Sequence, residues 1–424
     1  MGIFSGIFKR VIDAMTSPSV TYLIWEPFFR SVVRRENACF LDLKKVSKLL
    51  VVRLDEIGDV VMTTPLLREL RGNLPNARIS VVVNPRLYNL LETCPYVDDV
   101  WTYDWRVHGR LVGLKRHWRA LYLALKRLWW KRYDLAILPR WDTDYYHGSY
   151  VAYFSGASLR IGYSGKVNPN KERSDQEKDI LFSHVLTNTD IKHEVERNID
   201  IIRFLGGHVI HDKTELWLTN EDEIVARNIL DECAIVPGVD EVVAFCPGAG
   251  YPKRRWPLKN FIDLGRELNK SRSIRILIIG GPGEGHYGES LVENLGEKVV
   301  NLAGKLTLRQ TAAILKKCDL YIGNDTGPKH LAAAVGTPVV EISQHPVNGP
   351  PQHPNSPIRF GPWGVPFVVV QPEKAISPCK DSCTAAEAHC ICNVTVEQVK
   401  EAVLLLTTNN KSGECRPASI GPKC

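Results

Sequence analysis

Apolar runs and polar turns alternate along most of the chain in a pattern that predicts a βα repeat. Residues 49–54 form a buried-strand run, 60–70 read as a helix and 79–83 as a second strand. This opening predicts a parallel, doubly wound α/β sheet. Residues 133–138 read as a further strand, and the polar stretch 168–178 predicts a loop. Residues 206–240 hold a strand-like patch, a charged helix and Pro237-Gly238, which puts a domain join near 210–238. A second series then starts, with a strand at 242–245, a helix at 258–268 and a strand at 274–281. Residues 319–342 read as strand, turn, helix, turn, strand. Residues 345–363, rich in proline and histidine, predict an irregular loop, 394–405 a helix, and 408–424 a disordered tail. The expected plan is an arm (1–47), an N-terminal domain (48–212), a C-terminal domain (213–407) and the tail.

Two further segments are amphipathic. Ile3, Phe4, Ile7, Phe8, Val11, Ile12 and Met15 share one helical face. They suit an arm lying on a membrane or a helix docked on the protein's own surface, and both readings stay open. Residues 105–132 contain no acidic residue but nine cations: Arg106, Arg110, Lys115, Arg116, Arg119, Lys126, Arg127, Lys131 and Arg132. The apolar stripe Leu111, Leu114, Trp118, Leu121, Leu125, Leu128 is expected to face the core. The basic residues are expected to face a phosphorylated glycolipid or an anionic membrane surface.

Candidate chemistry gathers at turns that follow strands. Asn324-Asp325-Thr326-Gly327 precedes a helix whose first turn holds Pro328 and whose end is marked by Gly336. A helix N-terminus presents unpaired N–H groups, so diphosphate is the expected guest; the plainer alternative is an ordinary capped βα turn. Gly248-Ala249-Gly250 leads into Lys253, Arg254 and Arg255, a cation cluster fit to clamp a diphosphate or simply a solvated basic loop. The Gly280–Glu284 turn is expected on the same edge. Asp59 follows the first strand, with Asp55 and Glu56 as rival carboxylates. No GxGxxG occurs, which argues against a Rossmann dehydrogenase.

A chain of 424 residues suggests two domains, and a net charge of +7 favours acidic partners such as phosphate or anionic lipid. No nucleic-acid motif accompanies the charge, so no nucleic-acid partner is expected. No apolar run reaches the length of a membrane span, and no secretory signal is recognisable. A reducing cytoplasm is therefore expected, with Cys94, Cys233, Cys246 and Cys318 as free thiols. The spacing of Cys379, Cys383, Cys390 and Cys392 suits zinc, but no paired CxxC supports a metal, and none is expected.

The residues GNDTGPKHLAAAVGTPVV and RLDEIGDVVMTTPLLREL resemble the C- and N-terminal signatures of glycosyltransferase family 9, the heptosyltransferases of lipopolysaccharide core synthesis. SGASLRIGYSG, HEVERNIDIIRFLGG and NLAGKLTLRQTAAIL are similar to further family segments. The resemblance covers most of 48–405 and implies the GT-B architecture, two facing Rossmann-like domains with the donor mainly on the second. It implies inverting transfer from a nucleotide diphosphate sugar, with ADP-heptose suggested, to a lipid-linked saccharide at the inner face of the cytoplasmic membrane. Asp59 takes the family's general-base position. Lys253, Arg254, Asp325, Thr326, Gly327 and His330 become donor-site residues, with no metal and no cofactor. Arg254 stands where lysine is usual in the family, which leaves open whether Arg254 or Lys253 meets phosphate. A nucleotide-sugar-binding scaffold and a GT-B sugar-nucleotide epimerase are the alternatives.

Overall fold

A computed structural model describes residues 14–33, 43–109, 111–409 and 418–419. The chain forms two compact units. The first comprises residues up to Asp190 together with Val195–Asp212; the second comprises Ile191–Glu194 and the residues from Lys213 onward.

The first unit is built on β1 (Lys48–Arg53), β2 (Arg78–Val83), β3 (Asp99–Thr102), β4 (Leu135–Leu138), β5 (Leu159–Tyr163) and β6 (His184–Leu186). Their order is β3-β2-β1-β4-β5-β6 and every pairing is parallel. The inner strands are buried on both faces, which is why they read as continuous apolar runs rather than alternating ones. Strand order reverses between β1 and β4. In open α/β sheets such a switch point opens a crevice at the carboxyl ends of the strands.

The second unit repeats this arrangement. It contains β7 (Glu241–Cys246), β8 (Ile274–Ile278), β9 (Val299–Asn301), β10 (Leu320–Asn324), β11 (Val339–Ile342), β12 (Phe367–Val370) and β13 (Ala418–Ser419). The order β13-β12-β11-β10-β7-β8-β9 is again parallel throughout, with the switch point between β7 and β10. The doubly wound α/β class read from the sequence is therefore present in both units. Gly336, at φ +91°, ends the helix after β10, a conformation that L side chains rarely adopt.

One expectation changes, and two further segments gain detail. Residues 168–178 are not a loop: Asn168 accepts the N–H of Lys171 and starts the helix Pro169–Asp175, which passes into a 3-10 segment. The signal was the Asn-Pro pair, a cap followed by proline in the first turn. In the expected arm, Pro18–Phe28 is a helix docked on the first unit. Phe29 after it is wholly buried against Tyr153 and Trp129, and the Tyr150 hydroxyl donates to the Thr16 carbonyl at 2.7 Å. Burying such a ring contributes about 1.5–3 kcal/mol. The apolar face at Ile3–Ile12, and Arg110, lie outside the described residues. In the expected tail, Ala418–Ser419 pairs with β12; residues 410–417 and 420–424 lie outside the described residues.

The basic segment also divides differently. Along the helix Val112–Leu123 and its continuation to Lys131, His117, Ala120, Leu121, Ala124 and Leu128 face the core. Trp118, Tyr122, Leu125 and Trp130 are exposed instead, among Arg119, Lys126 and Arg127. Two alanines and two leucines thus share the inner face, and only part of the expected apolar stripe is buried.

Candidate functional site

On the second unit, the turns after β7 and β10 meet at the switch point. Asn324, wholly buried, holds them together: its Oδ1 accepts the backbone N–H of Trp256 at 3.0 Å, and its Nδ2 donates to the carbonyls of Pro247 and Gly248 at 2.8 and 3.3 Å. The Glu284 carboxylate packs against Gly248, where a Cβ would lie 2.2 Å from one of its oxygens and displace it. That carboxylate accepts the N–H of Gly281 at 2.6 Å within its own turn, and its closeness to Gly248 puts the Gly280–Glu284 turn on the same edge. Thr326 is the N-cap of the helix Gly327–Ala334, yet its hydroxyl makes no capping bond. The first N–H groups of this helix and a threonine hydroxyl therefore share one edge, the arrangement suited to an anion.

Arg254 and Lys253 sit in the 3-10 turn Pro252–Arg254. A guanidinium nitrogen of Arg254 lies 3.5 Å from Asp325, a second donates to Asn355, and the plane sits over Tyr251 at 5.3 Å. Its Nε is buried and has no hydrogen-bond partner. Lys253 donates to the Cys383 carbonyl at 3.5 Å, and Arg255 to the Ala249 carbonyl at 2.9 Å. The structure thus brings Arg254, Asp325, Thr326 and Gly327 together, with Lys253 on the adjoining turn.

Asp325 is spent on cations. Its carboxylate lies 2.6 Å from Lys329 and 3.5 Å from Arg254. Burial opposes its charge, but these two cations hold its pKa down at about 2. It therefore holds the Arg254 guanidinium on one side and the Lys329 ammonium on the other. Lys329, fully buried, also lies 2.9 Å from Glu341 on β11, whose pKa burial pushes up to about 7. His330 is buried, and burial holds its pKa well below the usual imidazole value, so it is neutral at pH 7. Sequence reasoning placed Asn324 in the turn without its bracing role and passed over Asn355 and Glu341; a polar residue inside an apolar run was the available signal for Glu341.

On the first unit, the turn after β1 carries Asp59 at the third position of the helix Ile57–Asn73. Its carboxylate accepts the Glu56 N–H at 3.2 Å, closing a capping box, and lies 3.5 Å from Arg53. Arg53, itself buried, donates to the Pro139 carbonyl at 2.6 Å and so crosses the switch point to the end of β4. Of the rivals, Asp55 is buried between Arg53 and Arg140, while Glu56 is exposed. Asp59 keeps a side chain 20% exposed, so it combines a fixed orientation with access to solvent. Beyond β4, buried Asp144 accepts from Gly148 and Ser149; despite burial, Lys178 and these donors keep it far below the usual carboxylate range. Lys171 donates to the carbonyls of Arg140 and Tyr163, and burial lowers its pKa to about 8.

Paired α/β units with such edges are the architecture of GT-B nucleotide-sugar glycosyltransferases. The chain belongs to glycosyltransferase family 9 (heptosyltransferase), whose family model matches residues 122–388. It is 26% identical over 304 residues to lipopolysaccharide heptosyltransferase 2 of Escherichia coli (strain K12), covering 70% of this chain and 82% of that protein. Its fold is similar to the crystal structure of a family 9 glycosyl transferase from Veillonella parvula (TM-score 0.68, 21% identity, 87% of this chain and 99% of that one). It is also similar to E. coli ADP-heptose LPS heptosyltransferase II (TM-score 0.61, 21% identity, 86% and 99%). The family and fold class read from the signatures are borne out, and the chain is a glycosyltransferase by membership.

Proposed function

We propose that this protein transfers heptose from ADP-heptose to a lipid-linked saccharide of the lipopolysaccharide-core type, with inversion at the anomeric carbon. The donor and acceptor classes are those in the names of the relatives above. In this reading Asp59 takes the proton of the acceptor hydroxyl as that oxygen attacks the anomeric carbon. The bond to the diphosphate breaks, and its charge is met by Arg254, by Lys253 and by the N–H groups at Thr326 and Gly327. Neutral His330, one turn along the same helix, is assigned to phosphate or sugar in this reading. These cations and the helix terminus neutralise the leaving group without calling on a metal ion. The observation that carries the reading is Arg254, with its unpartnered Nε, beside the uncapped start of the helix Gly327–Ala334.

The exposed Trp118, Tyr122, Leu125 and Trp130, interleaved with Arg119, Lys126 and Arg127, support a peripheral seat on an anionic membrane surface on the cytoplasmic side. The deciding experiment incubates the protein with ADP-heptose, with and without core acceptor. ADP release only with acceptor, and an inverted anomer by NMR, is the expected result. Nucleotide binding without turnover would point to a scaffold, and acceptor-independent rearrangement of the donor to an epimerase.

A further inference from the structure

Between the end of β12 and the 3-10 turn Cys390–Asn393, residues 371–389 run without helix or strand. Loops of this length inside a compact unit generally need a cross-link or a function to hold them. This one gathers Cys379, Cys383, His389 and Cys390, and one ligand atom from each lies within 4.8 Å of all the others. The three cysteines are buried, unbridged by disulfides, and packed in a small cluster with Ala375, Ile376 and Ala385. Cys392, the fourth cysteine of the run, is exposed and stands outside the group. His389 supplies the fourth donor instead, which is why cysteine spacing alone argued against a metal.

We propose that these four residues form a structural Cys3His site for a thiophilic divalent cation, zinc by preference. The distances fit. Zinc bonds of about 2.3 Å to sulfur and about 2.0–2.1 Å to nitrogen place tetrahedral N and S ligands about 3.6 Å apart. His389 Nδ1 is 3.7 Å from Cys379 Sγ and 3.5 Å from Cys390 Sγ. The surroundings fit as well: the backbone N–H of Thr384 donates to Cys379 Sγ and that of Ile376 to Cys390 Sγ, each at 3.4 Å. Such donors stabilise thiolate charge and orient a ligand for the ion. Three thiols and an imidazole suit zinc or iron rather than a hard cation.

The loop also reaches the candidate donor edge. The carbonyl of Cys383 accepts from Lys253 at 3.5 Å, and just past the 3-10 turn the Val394 carbonyl accepts from the Trp256 indole at 2.8 Å. Fixing the four ligands would therefore fix the seat of Lys253, a consequence that rests on the donor-site reading above.

The test is metal content. Full-length protein purified without chelator should carry one equivalent of zinc per chain by plasma mass spectrometry, and Cys392→Ser should keep it. Cys383→Ser should lose it. If that variant does not fold, mercurial treatment of the wild-type protein should release one equivalent to a colorimetric zinc indicator. One equivalent of iron would support the same site with another ion. Less than a tenth of an equivalent of any metal, or a disulfide among the three cysteines, would overturn the site. Stripping the metal should weaken ADP binding severalfold in the wild type but not in Lys253→Ala. Equal ADP affinity before and after stripping would overturn the link to Lys253 while leaving the metal result intact.

Discussion

Lys329 and Glu341 face each other at 2.9 Å with neither side chain reaching solvent, and Asp325 shares the same ammonium from 2.6 Å. One buried cation thus serves two carboxylates, with Arg254 helping Asp325. Removing one partner of such a group typically costs about 3–5 kcal/mol, because it strands a buried charge. Lys329→Met should therefore lower the thermal midpoint steeply, and Lys329→Met with Glu341→Leu should recover much of it. Equal losses in the single and double variants would contradict this.

The same trio predicts a pH dependence. Glu341 binds its proton more readily folded than unfolded, since burial raises its pKa from 4.5 to about 7. Its contribution is fully present below the unfolded value and is lost as pH rises from 4.5 through 7. Asp325 works the other way: its contribution is present above 3.8 and lost as pH falls through about 2. Glu341→Gln should flatten the fall in stability between pH 4.5 and 7, as read by denaturant midpoints across that range.

Arg254→Ala should weaken ADP binding by roughly ten- to a hundredfold, the equivalent of about 1.5–3 kcal/mol for a lost hydrogen bond to a charged group. Lys253→Ala should cost less. Arg254→Lys keeps charge but gives up the fork held by Asp325 and Asn355, so it should fall between. Calorimetric titration with ADP checks the order; an unchanged Arg254→Ala would move the role to Lys253 or Arg255.

Asp59→Asn retains an oxygen for the Glu56 N–H and should fold normally. Turnover should drop by roughly 10²–10⁴-fold, the usual contribution of a positioned base, while ADP affinity stays unchanged. Glu56→Gln should be nearly silent, since Glu56 is exposed. Near-normal turnover by Asp59→Asn would reduce Asp59 to its capping box with Glu56.

Trp118→Ser with Trp130→Ser should reduce flotation with anionic liposomes at low salt, and added salt should release the wild-type protein. Indifference to liposomes at low salt would remove the membrane seat from the proposal.

The strands and both candidate edges were legible because a parallel sheet buried on two faces writes continuous apolar runs, and because glycine and proline mark its turns. Asp59, Arg254 and Thr326 were legible through those turns and the family signatures. Partners supplied by distant parts of the chain were not. Asn355 meets Arg254 from about a hundred residues away, and Ile191–Glu194 belongs to the second unit although its neighbours on both sides belong to the first. The helix Pro169–Asp175 was missed because its exposed polar residues mask Lys171, whose burial depends on carbonyls at Arg140 and Tyr163. The division of the basic helix was missed because His117, Ala120 and Ala124 share its inner face with Leu121 and Leu128, while Trp118 and Leu125 turn outward.

The three bonds of Asn324 have a consequence for the cost of binding. A diphosphate meeting two independent loops must order both, and that lost freedom subtracts from affinity. With Asn324 tying the turn after β7 to the turn after β10, the helix terminus and the cation turn approach a ligand as a single body. Capture of the nucleotide should then carry a small entropic penalty. Asn324→Ala, which removes the tie and no charge, should enlarge that penalty and weaken nucleotide binding, as read by calorimetric titration.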